Sequence, residues 1–191
     1  MSAASGDPAS RVRVWRLPVR IFHWSLVIGV AVAWVTHHGP PWLHDAAGYA
    51  VLVLIGGRVI LGMFGAPAER FARFVAGWRA TLGYLRQMGK NREPRFLGHN
   101  PLGGWMTVAL LAVAVAASAT GWLYTTDAYW GVAWVEDLHA VLADILVILI
   151  FVHVAGVVFT SFRHGENLAA AMVHGWKPRA TPRHHGTAID P

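Results

Sequence analysis

The sequence contains no cysteine. That excludes disulfides, cysteine-ligated iron–sulfur clusters and a haem attached covalently through a C-x-x-C-H site. Charge is scarce too: Asp, Glu, Lys and Arg make up 14% of the 191 residues, against about a quarter in soluble domains. The polar segment 1–20 is not a short apolar core followed by a small-residue cleavage site, so no cleavable signal peptide is read there. At 191 residues the chain is one domain, too short for a soluble enzyme with an appended anchor. What it has in quantity is apolar surface: 55% hydrophobic residues, a mean hydropathy of +0.42, and 10 Trp, a ring type favoured at the headgroup level.

Four apolar runs approach the roughly 20 residues needed to cross the hydrocarbon core. They cover about 18–38, 44–64, 102–122 and 138–162. Pro18 suits a first helical turn, where its missing N–H costs nothing, and residues 36–38 extend the first run into the opposite interface. An all-α integral membrane four-helix bundle over 1–177 is expected, followed by a disordered tail over 178–191. The linker between the second and third runs is longer and basic, and its stretch 78–88 fits an interfacial amphipathic helix. Every Lys and Arg except Arg58 lies before the apolar part of run one, which begins at Ile21, between runs two and three, or after run four. Linkers 36–45 and 123–138 hold none, and carry Asp45, Asp127, Glu136 and Asp137 instead. By the positive-inside rule both termini are expected to be cytoplasmic. The same rule accounts for the net charge of +6 and the pI near 10.5, so no nucleic-acid partner is expected.

Four of the 11 histidines lie in or at the ends of these runs. His44 and His139 fall near the acidic, outer side; His23 and His153 fall near the basic, inner side. His139 and His153 are 14 residues apart on one run, nearly four turns, so they face one way about 21 Å apart along the axis. One helix can therefore supply one ligand to each of two stacked cofactors, with run one completing the inner site and run two the outer. Intramembrane ionisable groups are functional-site hypotheses by default, and a site built from facing helices is ordinary for a bundle. Zinc wants three or four protein ligands; two imidazoles per layer suit the axial positions of a planar macrocycle. The bland alternative for any one of them is a hydrogen-bonded polar residue. His37 and His38 are the rivals of His44 for the outer layer.

Arg58 follows His44 by 14 residues and shares its face at the inner layer. It either pairs with a haem propionate, as a guanidinium matches a carboxylate, or snorkels to the interface. Arg20 is a weaker propionate candidate that also serves topology. Gly48 and Gly62, one turn after His44 and Arg58, either admit a ring or pack helices closely. His99 reads as part of a turn, with contact to a haem edge or a quinone as the alternative. Asp144 either joins quinol or proton chemistry or makes a polar contact.

Val19-Arg-Ile-Phe-His-Trp24, Leu43-His44 with Gly48-Tyr49, Gly98-His-Asn-Pro-Leu-Gly-Gly104, Asp137-Leu-His139, Val152-His-Val-Ala-Gly156 and Gly165-Glu-Asn-Leu168 carry a family resemblance. From about Val14 to Lys177 the chain resembles the bacterial cytochrome b561 family, in particular the branch that includes the b-type cytochrome subunit of nickel–iron hydrogenases. The resemblance implies a four-helix bundle of the bacterial inner membrane with two b haems, His23 with His153 and His44 with His139 as axial pairs. It implies electron transfer between a quinone pool and a periplasmic or membrane-bound redox protein. Hydrogenase subunits of this kind tend to be longer, and no hydrogenase-docking surface is legible. A stand-alone oxidoreductase, such as a quinone reductase or superoxide oxidase, and a plain anchor for a catalytic subunit stay open as alternatives. Monomer and homodimer are both open.

Overall fold

The computed structural model describes residues 11–64 and 70–179. In chain order the elements are β1 (Arg11–Arg13), α1 (Leu17–Val35), α2 (Pro41–Phe64), a 3-10 turn (Phe71–Arg73), α3 (Trp78–Gly89), α4 (Pro101–Tyr124), α5 (Ala133–His164), α6 (Leu168–His174) and β2 (Trp176–Pro178). Helices α1, α2, α4 and α5 are long and apolar enough to span a bilayer. In hydrocarbon an open chain must satisfy every backbone group locally, so these apolar runs have only the helix available to them.

The helix ends follow from particular residues. Pro41 and Pro101 open α2 and α4 in the first turn, where no N–H is needed. The Asn100 side chain caps α4 by accepting from the Gly103 N–H at 2.7 Å. Gly165 ends α5 in the left-handed region, at φ 64°. α1 stops at Val35 and does not run on through 36–38 as the sequence suggests. The Thr36 hydroxyl donates to Val32 O at 2.7 Å and the chain turns into Pro40, whose ring disfavours helix at the residue before it. α5 is longer than expected: 32 residues rise about 48 Å, more than a hydrocarbon core of about 30 Å requires.

α4 is the central helix, packed along α5 and α2, while α1 packs on α2. Val51, Ile55, Leu111, Ala114 and Leu146 form the buried cluster. Many large apolar side chains face outward, among them Ile28, Val53, Ile148, Phe151 and Phe162, the reverse of a soluble fold. Lipid tails are as apolar as these side chains, so close approach relies on small residues. Ala114 and Ala117 are buried on α4, and a Cβ on Gly29 would stand 2.8 Å from Val51 Cγ2.

The basic end of the bundle is tied together outside the spans. β1 pairs antiparallel with β2 in the register Arg11↔Pro178, Val12↔Lys177 and Arg13↔Trp176, so both described ends of the chain meet there. Pro178 thus belongs to a strand where the sequence suggests the start of a disordered tail; residues 180–191, with His184 and His185, lie outside the described residues. Arg163 grips Glu93 through Nε–Oε1 at 2.5 Å and Nη2–Oε2 at 3.0 Å, and Glu166 pairs with Arg95 and Lys177. α3 occupies the stretch expected to be amphipathic: Tyr84 is buried, while Trp78, Leu82 and Leu85 are exposed.

Candidate functional site

The acidic end brings His44 of α2 and His139 of α5 face to edge, with ring centroids 5.9 Å apart and planes at 88°. α5 packs closely on α4 but not on α2, so the two imidazoles meet across a gap between helices. Each ring is anchored from behind. His44 Nδ1–H donates to Ala33 O at 2.9 Å, a carbonyl in the last turn of α1 that the Thr36 hydroxyl reaches only at 3.4 Å. His139 Nδ1–H donates to Ala117 O on α4, also at 2.9 Å, beside the Thr120 hydroxyl. A carbonyl can only accept, so Nδ1 carries a proton in both rings and Nε2 is the nitrogen left for a metal. This is the second-shell arrangement that orients a metal-binding histidine. Glycine at 121 makes it possible: a Cβ there would stand 2.9 Å from His139 Cε1. At Gly48, one turn after His44, a Cβ would meet nothing within 4 Å, so that side of the gap is open.

At the basic end His23 of α1 and His153 of α5 are both half-buried and close enough for their charges to interact. His23 Nδ1 is buried without a hydrogen-bond partner, as is Arg20 Nε. Arg20, three residues before His23, donates through Nη2 to Val173 O at the end of α6, so it ties α1 to α6. The Arg58 guanidinium lies over Phe71 at 4.8 Å and Phe74 at 5.8 Å. Its partner position Gly62 is taken by the Phe71 ring, which makes that glycine a packing site. His37 and His38 lie against one another in the exposed turn after α1, centroids 3.8 Å apart and planes tilted by 40°, and neither ring contacts the His44–His139 pair.

Residues 14–175 match the family model of the prokaryotic cytochrome b561. The chain belongs to that family. Among its relatives are the probable Ni/Fe-hydrogenase B-type cytochrome subunits of Azotobacter vinelandii, 26% identical, and Azotobacter chroococcum mcd 1, 25% identical; each comparison covers 92% of this chain and 95% of the relative. The protein is thus a multi-pass bacterial membrane protein, a b-type cytochrome of the electron-transfer class.

The residues fit a b haem. Among the described residues no group of three or more His, Cys, Asp or Glu converges as a metal cage. The acidic end instead supplies two opposed imidazoles with oriented Nε2 atoms, and the basic end a buried, unpartnered imidazole nitrogen opposite a second histidine. That donor set suits an iron whose other positions belong to a planar ring.

His99 is the residue whose role in this cytochrome the local sequence hides. Gly98-His99-Asn100-Pro101 reads as a turn, and Asn100 does cap α4, but His99 itself is half-buried between Trp15 at 5.0 Å and Phe74 at 4.8 Å. Burial, then the nearby charges of Arg58, His153 and Lys177, pushes its pKa down to about 4, so it is neutral at pH 7. Asp144 lies on an exposed face of α5, 140° around from His139 and opposite His153, off the histidine face. Thr120 and Gly121 complete the surroundings of His139. Only Gly121 has a sequence signal, a glycine facing His139 across two apolar helices.

Proposed function

We propose that this cytochrome conducts electrons across the membrane through two bis-histidine b haems, between a quinone pool and a redox partner protein. His44 with His139 would hold one haem at the acidic end, and His23 with His153 the other at the basic end. The observation that carries this reading is the pair of Nδ1–H···O=C anchors at 2.9 Å, which hold the neighbouring His44 and His139 rings from behind. Bound b haem supplies one-electron iron chemistry in each layer. The chain does the rest: α5 spaces its two histidines about 21 Å apart along its axis, the apolar helices exclude water, and the flanking charges bias the layers. By the positive-inside rule the basic end, with both termini, faces the cytoplasm. Relatives named as hydrogenase subunits support a protein redox partner of that kind, membrane-bound or periplasmic.

A stand-alone quinone reductase or superoxide oxidase is the second reading. Half-buried His99, held neutral near the basic-end layer, favours it, because it offers a polar group where a small acceptor could meet that layer. Quinone reduction by the purified protein with no partner present separates the two readings.

The test of the conduit is haem per chain in detergent-purified protein. The expected result is two b haems in the wild type, with His139→Ala and His153→Ala each losing a different one by redox titration. Folded wild-type protein without haem, or variants that keep the full complement, refutes the assignment.

A further inference from the structure

The charges at the basic end do not balance. Lys177 is 4% exposed, on the inward face of β2. Its partner Glu166, a side chain 7% exposed, is shared: Arg95 hydrogen-bonds to it directly, while Lys177 Nζ stays 3.7 Å from Oε2, beyond hydrogen-bond reach. One carboxylate thus serves two cations, and burying a charge is costly unless it is fully paired. Arg20 adds a third cation, with its Nε buried and unpartnered.

The fold carries these cations to the histidine layer. Val14 and Trp15 N–H both donate to Gly175 O, at 2.9 and 3.1 Å, which locks the start of α1 to the turn before β2. Gly175 is left-handed at φ 89°, and a Cβ there would stand 2.5 Å from Trp15 O and 3.4 Å from Arg20 Nη1, so the tail passes tightly against both. Trp15 meets His99 edge-on at 5.0 Å, and His99 feels the charges of both Lys177 and His153. Trp15 thus touches His99 on one side and Gly175 on the other, which sets Arg20 and the strand that carries Lys177 beside the start of α1, three residues before His23.

We propose that Lys177 and Arg20 are held at the basic-end layer by the β1–β2 pairing to bind the carboxylates of the haem seated there, and that Lys177 raises its reduction potential. A haem brings two carboxylates, which complete the pairing that Glu166 leaves unfinished. A fixed cation nearby favours the reduced, less positive iron. Lys177 is thus a positioning and tuning residue supplied by the chain's C-terminal strand. This inference rests on the haem assignment above, and the experiment tells the two apart.

Full-length protein is purified in detergent as wild type, Lys177→Gln, Lys177→Arg and Glu166→Gln, and titrated potentiometrically with haem content measured alongside. Lys177→Gln is expected to weaken reduction of one of the two haems about tenfold, a 59 mV fall for one electron, with the other moving much less. Lys177→Arg restores the value, and Glu166→Gln moves the same haem the opposite way. A structural clasp alone gives no opposite signs. Haem-loaded wild type with unmoved potentials in Lys177→Gln, or both charge variants shifting the same way, overturns this proposal alone. Wild type without haem overturns the conduit reading and this one with it.

Discussion

Gly121→Ala should remove the acidic-end haem and spare the other. The new Cβ would stand 2.9 Å from His139 Cε1 and 3.2 Å from Nδ1, about 0.5 Å inside the 3.4 Å at which ordinary contact begins. α4 and α5 share the most extensive packing in the bundle, so the backbones cannot separate easily and the imidazole must yield. A shift of that size stretches the 2.9 Å bond from His139 Nδ1–H to Ala117 O past useful length and turns Nε2 off its aim at the gap. Losing such an orienting partner costs about tenfold to a hundredfold in affinity for the bound metal centre, or about 1.4–2.7 kcal/mol. The helix itself gains, since alanine is favoured over glycine by about 1 kcal/mol in a helix interior. Loss of haem would therefore not be a loss of fold. The assay is haem content with a redox titration, beside Gly83→Ala on α3, where a Cβ meets nothing within 4 Å. Full haem content and unchanged potentials in Gly121→Ala would refute the claim that Ala117 O aims His139.

Gly48→Leu meets no protein atom within 4 Å of its Cβ, so it should leave helix content intact yet expel the acidic-end haem; full retention would mean the ring does not use that space. His99 is held at about 4 against 6.5 when unfolded, so between those values the unfolded chain binds the extra proton. Its contribution to stability should be complete above pH 6.5 and decline as the pH falls to 4, and His99→Phe should flatten that part of a thermal-midpoint profile. Hydrogen bonding to Arg163 holds Glu93 at about 2, so the pair should persist above pH 4.5 and be lost as the pH falls through 2. Carboxyl NMR should show the Glu93 midpoint returning towards 4.5 in Arg163→Gln.

How much of this was legible in the sequence depends on whether the contacts are periodic. The spans were legible because lipid leaves an apolar run one way to satisfy its backbone. The 14-residue spacing of His139 and His153 set their common face before any packing was known. Pairing His44 with His139, ahead of His37 or His38, was legible only as a matter of depth. The structure decides which ring meets which: Pro40 and Pro41 restart the helix and carry His44 back towards Ala33.

The basic end resisted sequence reading for the opposite reason: its contacts join segments far apart in the chain and leave no local period. Trp15 packs on His99, Arg95 on Glu166, Arg20 on Val173 and Val12 on Lys177, and none of these pairs has a spacing that a helix or strand would produce. Lys177 looks in sequence like one more topology charge, and its burial depends on a two-strand pairing between the extremes of the described chain. The two histidine layers are thus built differently. The acidic-end rings are aimed by backbone carbonyls of neighbouring spans, so their orientation is fixed by the packing of the bundle itself. The basic-end layer borders charges and aromatic rings delivered by segments outside the spans, so substitutions in the termini should reach it without touching the other layer.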